Sequence, residues 1–414
     1  MGRVRVAVTG VGAISCVGLD AASMMEALYA GKSGVQRIQR FDPAGLSTTI
    51  AAEVVDFDPT QYMDRKDAKR ADRYSQFAVA AAREAVQQAR LLDSDVDPNR
   101  IGVVLGSGIG GIETFETQHR NMLEKGSGRV SPFFIPMMIS DMAAGLVSMQ
   151  YGFKGPNFTA VSACASAANA IGTAYRLLQA DDADVVVTGG SEAAITPMSM
   201  AGFCAMKAMS EQNDDPPAAS RPFDARRDGF VMGEGGGILV LERLDRAQAR
   251  GIPILGEVVG FGMTADAYHM TAPAPEGEGA ARAMQAALDM AGVAPEVVEY
   301  INAHGTSTPY NDKNETQAIK TVFGAHAYKL KVGSTKSMLG HLLGASGGVE
   351  SVISVLVLGS GKVPPTINQE TPDPECDLDC IPNTAAPLDV HYALSNSFGF
   401  GGHNVSILFK RFEA

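Results

Sequence analysis

Residues 161–170 read Val161-Ser-Ala-Cys-Ala-Ser-Ala-Ala-Asn-Ala170, "VSACASAANA". The stretch looks like a strand handing over to a helix, with one soft nucleophile, Cys164, among alanines and serines. Handovers of this kind recur. "VRVAVTGVG" (4–12), "RIGVVLGSG" (100–108), "DVVVTGG" (184–190), "GILVLERL" (237–244), "EYINAHG" (299–305) and "LKVGSTK" (330–336) read as buried strands ending in glycine or polar turns. Between them, "SQFAVAAAREAVQQARLL" (75–92) and "GEGAARAMQAALDMAG" (277–292) read as amphipathic helices, the second stopping on Gly292. Strand–helix alternation of this kind predicts an α/β protein.

The totals narrow the class. At 414 residues the chain exceeds one simple core, so two domains or two intimately packed halves are expected. "VAVTGVG" (6–12) and "GEVVGFG" (256–262) are glycine-ended strands that open each half, and a boundary falls near Arg250–Pro253. No fixed period repeats, so the chain is not a solenoid. A net charge of -12 argues against a general nucleic-acid or membrane-surface binder. Five thinly spread cysteines argue against a disulfide framework and for the reducing cytoplasm. The N-terminus lacks a signal peptide's apolar region, and Val6 breaks the myristoylation pattern that would start at Gly2. No apolar run approaches membrane length; the longest, around Val352–Leu358, is core-sized.

Some patterns mislead. "GSGIGG" (106–111) fits a dinucleotide fingerprint, but no second strand ending in an acid follows promptly, so it reads as a tight turn. "CDLDC" (376–380) lacks a second ligand pair for a metal and reads as a polar loop with two incidental thiols. Asp214 and Asp215 read as solvated.

Four polar segments carry the chemistry. Alone, Cys164 is another small buried residue, the usual fate of a free cysteine. Alone, His304 in "NAHGTSTPYND" (302–312) is a satisfied structural histidine. "GSTKSMLGHLLGASGG" (333–348), with Lys336 and His341, suits a phosphate-binding turn before a helix. "LSNSFGFGGHN" (394–404) reads as a turn after a strand. Together they occupy strand ends, where sites of α/β folds collect. A cysteine at a helix N-terminus is favoured as thiolate, the nucleophilic form. The small neighbours Ala163, Ala165 and Ser166 leave room for a bulky thioester.

These segments resemble the β-ketoacyl-acyl-carrier-protein synthases of the thiolase superfamily, and specifically their elongating type II members. The likeness runs from "VAVTGVGAISCVG" to "SNSFGFGGHN" and includes "SACASA", "AHGTSTP", "GSTKSMLGHLLGASG" and "RPFDARRDGFVMGEG". It implies a five-layered αβαβα thiolase-like fold of two similar halves, 1–252 with Cys164 and 253–414 with His304, Lys336 and His341. It implies a homodimer, and acyl- and malonyl-loaded acyl carrier protein as partner, with no nucleic acid and no membrane. The implied reaction is a decarboxylating Claisen condensation on Cys164. The expected oxyanion hole is formed by the N–H groups of Cys164 and Phe400. His304 and His341 hold the thioester oxygen as the enolate forms, and Lys336 gives electrostatic support. Thr306 and Thr308 resemble the hydroxyls that bond a phosphopantetheine arm, which arrives on the carrier. Phe400 resembles the gate between substrate entries, with Phe398 beside it, and Ile109 and Phe203 resemble acyl-tunnel residues. No cofactor is needed for catalysis. Asn302, Ala303, Glu315, Glu350, Ser395 and Asn396 match positions that bind a structural monovalent cation, Na+ or K+, in relatives; the alternative is a buried hydrogen-bond network. "DRKDAKRADR" (64–73) has a local excess of two positive charges. Helical spacing puts Arg65 and Lys69 on one face and Lys66, Arg70 and Arg73 on an adjoining one, as a carrier-docking surface with Lys207 nearby or as a solvated face. His403 departs from the threonine of many relatives.

Rival readings are a polyketide-type ketosynthase, an initiating synthase, a thiolase proper and a non-catalytic partner of the chain-length-factor kind. The initiator resembles a Cys-His-Asn set, a thiolase would bring a second cysteine near the C-terminus, and the chain-length factor lacks the cysteine.

Overall fold

The computed structural model describes residues 3–413. Met1 and Gly2, where the lipidation pattern begins, lie outside them. Ten strands form one mixed sheet: β1 (Val6–Ile14), β2 (Ile101–Gly106), β3 (Asn157–Ala160), β4 (Val185–Glu192), β5 (Gly235–Arg243), β6 (Gly256–Ala265), β7 (Tyr300–Asn302), β8 (Lys331–Gly333), β9 (Tyr392–Gly399) and β10 (His403–Lys410). Their order is β8-β7-β9-β10-β6-β1-β5-β4-β2-β3. From the central β1–β6 pair outward, each half therefore runs first, fifth, fourth, second and third strand of its own set. The senses repeat as well, antiparallel for the inner two pairings and parallel for the outer two.

Five helices complete the layers: α1 (Arg73–Gln88), α2 (Ser166–Gln179), α3 (Glu278–Ala291), α4 (Pro309–Phe323) and α5 (Ser346–Val357). Helix α1 covers the outer face of the first half-sheet, and α3, with α4 against it, covers the outer face of the second. Helices α2 and α5 lie between the half-sheets and pack on both, which gives the αβαβα stack.

The local chemistry explains these elements. Asp72 caps α1 by accepting from Tyr74 N–H. Helix α3 ends where Gly292 adopts a left-handed φ of 68°. The glycines of the two opening strands admit the outer helices. A Cβ at Gly12 would stand 2.1 Å from Ala81 O of α1, and one at Gly262 would stand 1.9 Å from Ala283 O of α3.

Each inner helix follows a strained turn of the same kind. Ala163 (φ 49°) opens the 3-10 turn Ala163–Ala165 before α2, and Leu343 (φ 48°) opens Leu343–Ala345 before α5. Cys164 and Gly344 are thus counterparts, as are Ser166 and Ser346. The chain crosses between its two strand sets through the helix Leu244–Ala249 and residues 250–255.

Three expectations need correction. Residues 394–404 are not a turn after a strand: 392–399 are the strand β9 and only 400–402 turn. Ser395, Asn396 and Ser397 are buried, so β9 carries polar groups where an apolar run is the usual signal. The basic segment is not one helix. It forms a four-residue helix, Arg65–Ala68, and α1 then starts afresh at Arg73, whose guanidinium turns inward to Glu234 (2.7 Å). Finally, 376–380 is a loop as expected but not a merely polar one, since Cys376, Leu378 and Cys380 are buried in the core of the second half.

Candidate active site

Cys164 sits in the elbow between β3 and α2. Ser166 holds that elbow: its hydroxyl accepts from Ser162 N–H (2.9 Å) and donates to Ala163 O (2.7 Å). The loops after β7, β8 and β9 bring His304, His341 and Phe400 to the same place. His341 Nε2 lies 3.0 Å from Cys164 Sγ. The His304 and His341 rings meet edge to face with centroids 5.4 Å apart, and Phe230 abuts His341 in the same way at 5.3 Å. His304 is fixed from beneath, where Glu315 accepts from the backbone N–H of His304 and of Gly305, both at 2.8 Å.

The protonation states follow from burial. Burial pushes the Cys164 thiol up to about 12, against the pull of Lys336 and of the backbone N–H groups of Phe400 and Cys164 that face the sulfur. The resting sulfur is therefore a thiol, which corrects the expectation that its helix start favours a thiolate. The helix begins at Ser166, after a 3-10 turn, and desolvation outweighs it. Burial, then the charge of Lys336, holds both histidines well below their ordinary range, so both rings are neutral. Lys336 is buried behind the cavity wall in an ion pair with Glu350, whose carboxyl burial raises to about 7.

A cavity of about 460 Å³ opens onto this group. It is lined by Cys164, His304 and His341, and by the expected Ile109, Phe203, Thr306, Thr308, Phe398 and Phe400, with Lys207 as well. Thr306 and Thr308 hydroxyls bond each other at 2.8 Å. Arg65, Lys66, Lys69 and Arg70 are exposed and do not line it; Arg70 lies 4.3 Å over the Phe133 ring. His403 is exposed beside Gly401 and does not line it either.

The six cation positions converge. Ser395 pairs in register with Asn302, and Asn396 donates to Glu315 (3.1 Å). Both side-chain polar atoms of Asn302 and Oε2 of Glu350 are buried without a hydrogen-bond partner. Amide and carboxylate oxygens of this sort fit a hard monovalent cation.

Two residues escaped the sequence reading. Glu192, at the end of β4, is fully buried and accepts from Gly108 N–H (2.6 Å), Gly344 N–H (3.1 Å) and Ser107 Oγ (2.9 Å). It thus takes up the N–H groups of the glycine-rich "GSGIGG" turn, where a phosphate would sit in a nucleotide site. An acid closing a strand that opens on three valines was the available signal. Ser346 bonds His341 Nδ1 at 2.9 Å and had no signal beyond its place after the histidine.

Comparison with known proteins agrees with this geometry. Residues 3–247 match the family described as Beta-ketoacyl synthase, N-terminal domain, and 255–370 match Beta-ketoacyl synthase, C-terminal domain. The chain is 56% identical over 410 residues to a 3-oxoacyl-[acyl-carrier-protein] synthase 2 of Staphylococcus aureus, covering 99% of each chain. It is 54% identical over 409 residues to one from Synechocystis, covering 99% of this chain and 98% of that one. Among solved structures, a β-ketoacyl synthase from Burkholderia phymatum superposes with a TM-score of 0.92 at 37% identity, covering 99% of this chain and 100% of that one. A type II PKS ketosynthase, bound to the hexaketide in complex with its acyl-carrier protein, gives 0.91 at 34% over 100% of both chains.

Proposed function

The chain belongs to the β-ketoacyl synthase family, and on that premise we propose that it carries out the condensing step of fatty-acid elongation. It is an acyltransferase. An acyl group held on Cys164 is joined to malonyl-[acyl-carrier-protein], giving 3-oxoacyl-[acyl-carrier-protein] and CO2. The observation that carries this reading is the Cys164–His341 contact of 3.0 Å in an apolar cavity that also holds His304.

The chemistry follows from the protonation states. His341 Nε2 takes the thiol proton as sulfur attacks the acyl thioester. The N–H groups of Cys164 and Phe400 face the oxyanion that forms. The carrier thiolate leaves and regains the proton. Malonyl-carrier then loses CO2, and N–H groups of His304 and His341 meet the enolate oxygen as charge develops there. The carbanion attacks the acyl carbon, the acyl–sulfur bond breaks, and Cys164 leaves as a thiolate that takes a proton from solvent. Thr306 and Thr308 bond the phosphopantetheine arm, Ile109 and Phe203 hold the acyl chain, and Phe398 and Phe400 gate the entry. Lys336 lends positive charge through the wall.

An acyl carrier protein docks on the exposed Arg65, Lys66, Lys69 and Arg70, with Lys207 at the cavity wall. The subunits pair through the open edge β3 and its flanking helices, a region supported by exposed Leu123, Ile135, Met149, Phe158 and Val161. No helix among the described residues is long and apolar enough to cross a membrane, and free cysteines accord with the reducing cytoplasm. Na+ or K+ sits among Asn302, Ala303, Glu315, Glu350, Ser395 and Asn396, in a structural role only. A polyketide reading is disfavoured by 56% identity to the fatty-acid enzyme against 34% to the PKS ketosynthase. The placed nucleophile disfavours a chain-length factor.

Cys164→Ala abolishes condensation, and intact mass spectrometry of the wild type shows one acyl group, on Cys164. Acylation mapping to Cys204 or Cys16 refutes the assignment.

A further inference from the structure

His341 faces two different demands in this reaction. Toward a thiol, Nε2 must be a bare acceptor, which puts the ring proton on Nδ1. Toward an enolate oxygen, Nε2 must carry the proton, which leaves Nδ1 bare. The group that meets Nδ1 decides whether both states are tolerated in a buried ring.

That group is the Ser346 hydroxyl, 2.9 Å from Nδ1. It is fully buried and makes no other hydrogen bond. Its counterpart in the first elbow, Ser166, is committed to two backbone groups. Nδ1 of His304, by contrast, is buried with no partner at all. A hydroxyl both accepts and donates, so Ser346 satisfies Nδ1 with or without its proton.

We propose that Ser346 is a positioning residue whose hydroxyl lets His341 change tautomer between the two halves of the reaction. The inference rests on the condensing reading above. In the resting enzyme Cys164 S–H points at bare Nε2, and Nδ1–H donates to Ser346 Oγ. Once Cys164 is acylated, no S–H remains. The ring gives up its Nδ1 proton and gains one at Nε2 by exchange with water in the cavity, with no net proton change, and Ser346 turns to donate to Nδ1.

In Ser346→Ala a buried Nδ1–H would have no acceptor, and an unpaired buried N–H is less well tolerated than an unpaired acceptor. The variant therefore favours the Nε2–H form. Self-acylation is expected to slow about tenfold, the order of one hydrogen bond, while malonyl decarboxylation stays within about twofold. The 15N shifts of His341 report the tautomer directly. In the wild type they are expected to exchange protonated Nδ1 for protonated Nε2 on acylation of Cys164. In Ser346→Ala they are expected to show protonated Nε2 throughout. Equal loss in both half-reactions overturns the proposal, and so does a wild-type ring that keeps one tautomer through acylation. The shift experiment needs no variant to fold, and it stands apart from the mapping of the acyl group to Cys164, on which the condensing reading depends.

Discussion

Glu192 offers a quantitative test of how the site is held together. Its carboxylate is fully buried, and three donors lie within 3.1 Å: Gly108 N–H, Gly344 N–H and the Ser107 hydroxyl. Ile109 and Gly110 N–H stand further out at 3.3 Å. Glu192→Ala leaves the three close donors unpaired. At about 1–3 kcal/mol for each, the loss is about 3–9 kcal/mol. Water filling the vacated space re-pairs some donors, and the burial penalty that holds this carboxyl above its ordinary range disappears with it. The net expectation is about 3 kcal/mol. With about 2.1 cal/mol/K per residue over 414 residues, the unfolding entropy is about 0.9 kcal/mol/K, so Tm falls by about 3 °C. Glu192→Gln keeps one acceptor and should lose about half as much. The Gly108–Ile109 loop lines the acyl cavity, so both variants should lose more activity with long acyl chains than with short ones. Calorimetry at fixed protein concentration, beside acylation with graded acyl-carriers, tests this. A Glu192→Ala protein melting within about 1 °C of wild type, or one less damaged than Glu192→Gln, refutes the anchoring argument.

Two further outcomes are expected. His304 and His341 stay neutral in the folded protein, while the unfolded chain protonates them below about pH 6.5. Lowered folded values mean that stability is intact above that pH and falls as pH drops, by at most about 1.4 kcal/mol per pH unit for each histidine. Urea midpoints from pH 7 to 5.5 should fall less steeply in His304→Ala than in wild type, and an unchanged slope contradicts neutral burial. Reversing Lys66, Lys69 and Arg70 to glutamate should raise KM for acyl-carrier, with a larger effect at low salt, and leave acylation by a small thioester untouched. An unchanged KM places the carrier elsewhere.

What could be read in advance follows from how each element buries its side chains. Strands β1, β2, β4 and β5 are buried on both faces and each contains an apolar run, so they were visible as runs. Strand β9 was hidden because Ser395, Asn396 and Ser397 fill it with buried polar groups, and the partners of Asn396, Glu315 and Ser406, come from other segments. The convergence of the candidate catalytic set was legible because each member stands after a strand end beside glycine or small residues. The state of Cys164 was not, since desolvation is set by Phe398, Leu343 and other distant neighbours around one cavity rather than by the helix that follows. Glu192 and Ser346 act only through loops that the fold brings to them. The basic stretch misled because helical spacing ignores the break between Lys69 and Arg73, where Glu234 recruits the arginine inward.

The two elbows give the protein a kinetic order. Gly344 occupies in the second half the place that Cys164 occupies in the first. A Cβ there would stand 2.2 Å from Gly108 N and 2.6 Å from Glu192 Oε2, so no cysteine fits. On the condensing reading the duplicated architecture is thus single-headed: the chain has one covalent berth. Two acyl units never wait side by side on the protein, and one of them must arrive and react while still tethered to its carrier. The first carrier has to depart empty before the second can be used. Initial rates should therefore follow a ping-pong pattern, with parallel double-reciprocal lines as each substrate is varied against the other.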